Sequence, residues 1–289
     1  MKPAFAIIGC GRVGVSLAWH LAALGYRPAG FASRRSASAH AAAEAAGGGR
    51  VCRAPWKATH DADLVFITTH DAAIQSVAEE LGAKQGVKRG AVVLHCSGVL
   101  ASTILKALRG IGAHIGSLHP LQSFAGPTFP FNPFQGIVMA GEGDHAALMC
   151  SREIADDLGA EFLAIDTENK ILYHAAAVVA SNYLVTLMSA ASRLLEGSGI
   201  APEAALKVLL PLVRGTLKNM EQKGIADALT GPIARGDRET VASHCRKIGQ
   251  SMPDMLPLYR LLGSHTLPLA KTALDDESIE ALKTLLQQP

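Results

Sequence analysis

The 289 residues are 49% hydrophobic and 18% charged with a net charge of +2, which excludes a disordered chain and supplies apolar side chains for two packed domains. So small a charge gives no electrostatic reason to expect nucleic acid or an anionic membrane as partner, and favours a small molecule. Cys10, Cys52, Cys96, Cys150 and Cys245 are odd in number and far apart, against both a disulfide framework and a zinc site. With no secretory segment and no apolar run of about 20 residues, the expectation is a cytoplasmic protein without a membrane span.

From Ala4 to Ile165 short apolar runs alternate with helical patterns, predicting a doubly wound α/β domain with a parallel sheet over residues 1–165. The expected strands are Ala4–Ile8, Pro28–Ala32, Leu64–Thr68, Ala91–Cys96, His114–Leu118, Gly136–Ala140 and Glu161–Ile165. Gly9-Cys10-Gly11-Arg12-Val13-Gly14 follows the first of them and opens an amphipathic helix, Val13–Leu24, that stops at Gly25. In that context Gly9 makes a tight turn, Gly11 lets the backbone approach a pyrophosphate, and Gly14 lets the helix pack closely. The helix start would meet the phosphates with free N–H groups. An NAD site places a carboxylate about 20 residues further on; here the chain reads Ser33-Arg34-Arg35. A hydroxyl and two guanidiniums suit the 2′-phosphate of NADP(H), the alternative being solvated surface arginines.

Polar residues at later strand ends have a route to the carboxyl edge of the sheet. They are Thr68-Thr69-His70-Asp71, of which Thr68 and His70 are assigned to the cofactor, His95-Cys96-Ser97-Gly98, and Ser117-Leu118-His119-Pro120. The proline-rich segment Thr128–Phe134 reads as a loop, either a lid or a rigid surface connection.

After Asp166 the pattern becomes 3.6-periodic, predicting an all-α domain over residues 166–289 with helices at Glu168–Gly197, Pro202–Lys223, Asp237–Gln250, Met252–Ala273 and Ser278–Gln287. On the first of these Lys170, His174, Ala177 and Ser181 share a stripe about 60° wide, with Asn182 to one side. The alternative is an interdomain helix with a few satisfied polar side chains. Apolar faces such as Leu206, Leu209, Leu210 and Val213 would suit a homodimer through these helices, or a monomer core.

Taken together, the glycine motif, His95-Cys96-Ser97-Gly98, His119-Pro120-Leu121-Gln122-Ser123-Phe124, Tyr173-His174-Ala175-Ala176-Ala177, Ser181-Asn182-Tyr183 and Leu229–Asp237 resemble a bacterial family of Rossmann-like proteins with a helical carboxyl-terminal domain of unknown function. That family groups with the 6-phosphogluconate-dehydrogenase-like enzymes, among them ketopantoate reductase, pyrroline-5-carboxylate reductase and 3-hydroxyacid dehydrogenases. The resemblance implies an NADP-dependent oxidoreductase acting on a small carbonyl, hydroxy-acid or imine substrate. Lys170 matches the catalytic lysine of the hydroxyacid branch, but His174 stands where that branch has asparagine. Ser97 and His119-Pro120 match strand-end positions used by prephenate dehydrogenases. Lys170, His119 and His174 are thus the expected proton donors, with Ser97 and Asn182 as orienting partners. The alternative from another class is a non-catalytic NADP(H)-binding sensor or scaffold.

Overall fold

Phe5 and Ile7 point to one face of their strand and Ala6 and Ile8 to the other, and all four are fully or almost fully buried. Leu64 and Phe66 alternate with Val65 and Ile67 in the same way. A strand apolar on both faces needs helices on both sides of its sheet. The computed structural model, which describes residues 1–124, 126, 130–270 and 274–287, has that arrangement. Its strands are β1 (Ala4–Ile8), β2 (Arg27–Ala32), β3 (Arg50–Cys52), β4 (Leu64–Ile67), β5 (Val92–His95), β6 (His114–Pro120), β7 (Val138–Gly143) and β8 (Glu161–Ala164), in the order β3-β2-β1-β4-β5-β6-β7-β8.

Helices α1 (Arg12–Ala23), α2 (Ser36–Ala45), α3 (Pro55–Thr59), α4 (Asp71–Ala83) and α5 (His145–Leu158) accompany the sheet. A core around Phe5, Leu17, Phe31, Phe66 and Ile154 fills one side, and one around Val65, Ile74, Leu81, Val93 and Ile115 the other. Two features depart from expectation. Arg50–Cys52 is a strand, too short and too charged for its pattern to announce it. And β7 runs antiparallel to β6, so the sheet is mostly rather than wholly parallel. That reversal sets Ser117 opposite Glu142. Of the proline-rich loop, Pro127, Thr128 and Phe129 lie outside the described residues; its second half is anchored by Asn132, whose side chain donates to the Leu158 carbonyl at 2.9 Å, and by the buried Phe134.

The chain divides into two compact units, Met1–Ser181 and Asn182–Pro289. The division falls inside α6 (Lys170–Gly197), beyond the change of pattern at Asp166. The second unit contains the rest of α6, α7 (Pro202–Lys223), α8 (Arg238–Ser251), α9 (Leu256–Ala270) and α10 (Asp276–Gln287), with a small core of Val241, Cys245, Leu267, Leu282 and Leu286. Asp237 caps α8 by accepting from the Thr240 N–H at 3.0 Å. The stretch Thr167–Gly197 is long and apolar enough to cross a membrane by length and composition alone, at mean hydropathy 1.5, and its apolar window is unburied. This corrects the expectation that no such segment exists: Ser181, Asn182 and Thr186 break the apolar run, yet its mean hydropathy still reaches 1.5.

Within the first unit the start of α6 is tied to the sheet by one buried carboxylate. Glu142 accepts from the Ser102 N–H (2.7 Å), the Ser102 hydroxyl (2.7 Å), Ser117 Oγ (2.8 Å), Thr167 Oγ1 (3.0 Å) and Lys170 Nζ (3.1 Å). Burial pushes the carboxyl upward in pKa, but the Ser102 hydrogen bonds, the Lys170 charge and Ser117 outweigh it and hold Glu142 at about 2 against an ordinary 4.5. A depressed carboxyl pKa stabilises the fold above the unfolded value, and that contribution disappears as pH falls from 4.5 toward 2. Glu142→Gln leaves Lys170 buried without its counter-ion and is expected to lower the unfolding free energy by about 3–5 kcal/mol at neutral pH. In urea titrations the gap between wild type and variant should close as pH drops through that window. A gap independent of pH would count against the assignment.

Candidate active site

The order β3-β2-β1-β4 reverses direction between β1 and β4, the switch point where ligands bind at strand carboxyl ends in open α/β sheets. Gly9 turns there with φ of 95°, and an added Cβ would meet the Thr69 backbone nitrogen at 2.6 Å, so no other residue fits. At Gly14 a Cβ would meet the Gly9 carbonyl oxygen at 2.5 Å, which brings α1 close to the turn; a Cβ at Gly11 would meet nothing within 4 Å. Because Gly11, the N-cap of α1, has no side chain to cap it, the first N–H groups of that helix remain available to an anion.

A cavity of about 310 Å³ opens at this point, lined by Gly9, Cys10, Gly11, Arg12, Val13, Ser33, Arg34, Arg35, Ser38, Thr68, Thr69, His70 and Ala73. Every residue the sequence assigned to the cofactor is on that lining except Gly14, which packs beneath it. Thr68 Oγ1 donates to the Gly9 carbonyl and fixes the turn. The neighbouring Thr69 hydroxyl is buried and has no hydrogen-bond partner, a polar atom such as a ligand would satisfy. Cys10 is a buried thiol pushed up to about 12 by burial, so it lines the cavity as a neutral group. Arg12 also reaches the Phe124 carbonyl at 3.2 Å. Thr69 and Ser38 join the lining without having been assigned to it from sequence; both are small hydroxyls within or close to segments already singled out.

A second cluster sits at the ends of β5 and β6. The His95 ring accepts from the Ser97 N–H at 3.2 Å, and Ser97 Oγ accepts from the N–H groups of Val99 (3.2 Å) and Leu100 (3.0 Å). These bonds hold Gly98 against two imidazoles: a Cβ there would lie 2.5 Å from His174 Nδ1 and 2.9 Å from His119 Nε2. His119 Nδ1 is 3.0 Å from the Tyr173 hydroxyl, and the His119 and His174 rings are 6.0 Å apart, centre to centre. His174 Nδ1 is buried without a partner. Burial, reinforced by His174 and the Lys170 charge, lowers His119 to about 4; burial raises Tyr173 to about 12. Both are neutral at pH 7.

The structure therefore brings His119, His174 and Ser97 together, with Ser97 holding the loop through its oxygen. Lys170 does not hydrogen-bond to this group, although its charge acts on His119. Its ammonium is 1% exposed and donates to Ser117 Oγ and Glu142, with burial lowering its pKa against the pull of Glu142. Asn182 belongs to the second unit and is exposed. Tyr173 appears in a sequence motif but is given no role there, because it lies beside the stripe drawn through Lys170 and His174; Glu142 was missed, because it falls just past the strand predicted to end at Ala140.

Comparison with known proteins follows the same outline. No curated protein matches the chain. Among solved structures, the protein TM1727 from Thermotoga maritima is 27% identical with a TM-score of 0.74, covering 93% of this chain and 98% of its own. A Bacteroides fragilis protein assigned as an NADP oxidoreductase is 24% identical with a TM-score of 0.72 over 90% and 96%. A reductive aminase from Aspergillus terreus, in complex with NADPH4, cyclohexanone and allyl amine, is 18% identical with a TM-score of 0.62 over 99% and 100%. Residues 2–120 match a Rossmann-like domain and residues 137–266 match the domain of unknown function DUF2520; the gap between the two falls between β6 and β7, where the sheet turns antiparallel. The chain thus matches two family models in succession, a Rossmann-like domain and then DUF2520.

Proposed function

We propose that the chain is an NADP(H)-dependent oxidoreductase that reduces a small carbonyl or imine compound, or runs the same reaction in reverse. The observation that carries this reading is the 310 Å³ cavity at the switch point, where an uncapped helix start, an unpartnered threonine hydroxyl and two arginines meet. The backbone of Gly9–Val13 would hold the pyrophosphate, and Ser33, Arg34 and Arg35 the 2′-phosphate. Bound there, NADPH supplies the hydride. The ketone and amine bound by the Aspergillus terreus reductive aminase support a carbonyl or imine substrate, and the five free cysteines suit a reducing, cytoplasmic setting.

The side chains supply the proton. In a neutral histidine–tyrosine pair one hydrogen bond consumes one of two protons. If Tyr173 donates to His119 Nδ1, the His119 Nε2–H is left; if His119 Nδ1–H donates, the Tyr173 O–H is left. Either arrangement leaves one donor for a substrate heteroatom, with Gly98 holding both rings in place. Lys170 acts one layer below as a positioning residue through Ser117 and Glu142. Copies of the chain pair through α6, whose Ile171, Leu172, Val179 and Val185 are 59–72% exposed, more apolar surface than an isolated soluble helix leaves in water.

Four outcomes are expected. In NADPH oxidation across ketones, aldehydes and cyclic imines, with and without amines, some substrate turns over; tight NADPH binding with no turnover would favour the sensor reading. Tyr173→Phe and His119→Asn each lower kcat by about 10²–10⁴-fold with NADPH affinity unchanged. By NMR the His119 ring remains neutral down to about pH 5, consistent with a value near 4; titration near 6.5 would remove it from the proposed pair. Sedimentation should give a dimer that Val185→Glu converts to monomer, and a monomeric wild type, or one that partitions into lipid vesicles, would overturn the pairing.

A further inference from the structure

A second cavity of about 340 Å³ adjoins the first and shares Gly9, Ser33, Arg34, Thr69 and Ala73 with it. Its remaining walls are Ile8, Ala32, Pro55 and Val77, and it adds one charged residue that the sequence did not single out, Arg53. The sheet places this residue. Ala32 of β2 pairs with Cys52 of β3 in parallel register, so Ser33 and Arg53 leave the sheet side by side at the carboxyl edge. Ser33 occupies the strand-end position from which an NAD site reads the ribose 2′-hydroxyl. A guanidinium on the adjacent strand end therefore lines the same cavity as Arg34.

The charge pattern agrees. Arg50, Arg109 and Arg193 are held by Asp61, Asp144 and Asp254. Arg34, Arg35 and Arg53 form no ion pair among the described residues, and no carboxylate lines either cavity. Two uncompensated guanidiniums, Arg34 and Arg53, on a slot with apolar walls, with Arg35 in the adjoining cavity, fit a flat base bearing a dianionic phosphate on its sugar.

We infer that the second cavity receives the adenosine end of the cofactor and that Arg53, with Arg34, grips its 2′-phosphate, making β3 a determinant of NADP(H) over NAD(H) selectivity. This rests on the cofactor reading above and extends it to a residue outside the glycine turn and the β2 end. The test is direct binding by calorimetry, which needs no substrate. The probes are adenosine 2′,5′-bisphosphate against adenosine 5′-monophosphate, and NADPH against NADH. Arg53→Gln should weaken the two 2′-phosphorylated ligands by about tenfold or more and leave the two lacking that phosphate within about twofold. Arg53→Lys, which keeps the charge but not the fork, should fall between. Equal losses for all four ligands would reassign Arg53 to the base and overturn the inference, as would no loss at all. If wild type binds neither NADPH nor NADH, the cofactor reading fails with it, a result distinct from either of these.

Discussion

The Glu142 carboxylate is the point on which the first unit's chemistry depends. Five donors converge on its two oxygens, from Ser102 twice, Ser117, Thr167 and Lys170. They come from the loop after β5, from β6, and from the approach to and first residue of α6. A carboxylate 2% exposed is costly to desolvate, and a buried ion pair seldom repays that cost in net stability. What it does supply is registry. A shift of α6 by one residue would carry Lys170 away from Glu142 and leave two buried charges unpaired. The next turn of the helix therefore arrives in one rotation, with Tyr173 against His119 and His174 against Gly98.

The same pair sets the electrostatics of the histidines. Glu142 answers the Lys170 charge directly, yet the ammonium still acts on His95 and His119, and burial does the rest. His95 is lowered to about 3 by burial and then by Lys170. A cluster of imidazoles beside an ammonium would repel itself if protonated; held neutral, each ring can accept at one nitrogen and donate at the other. Ser97 uses that property at His95, and Tyr173 uses it at His119.

How much of this was legible in the sequence depended on whether backbone or side-chain geometry was at stake. The glycine turn was readable because its requirements are local: Gly9 needs a left-handed φ, Gly14 needs space, and both needs are met by neighbours in sequence or by the adjoining strand. Ser33-Arg34-Arg35 was readable because the strand fixes where its end must lie. Arg53 was not, since β3 is three residues long and only its pairing with β2 places it. Glu142 was hidden for a similar reason. Its partner Ser117 is assigned by an antiparallel register between β6 and β7, and a pattern of alternating strands and helices gives no hint that one strand reverses. Lys170 was expected to be a proton donor, but its position along the helix does not reveal whether the ammonium faces a ligand or a carboxylate on a strand.

The two halves of the site are accordingly built from different materials. The proposed phosphate end relies on backbone N–H groups, on space left by glycines and on exposed arginines, and it belongs to the ends of β1, β2, β3 and β4. The proton-handling end relies on buried neutral side chains at β5, β6 and α6, held by hydrogen bonds that the first half does not share. Sites without common partners tend to respond independently to substitution. Cofactor preference can thus drift by exchanging exposed arginines at almost no cost to packing. A change of substrate chemistry has to pass through His119, Tyr173 and Gly98, where a single added methyl group collides with two rings. On the proposed reading the dinucleotide would join two halves that otherwise meet through the pairing of β4 with β5, where Ile67 lies opposite His95.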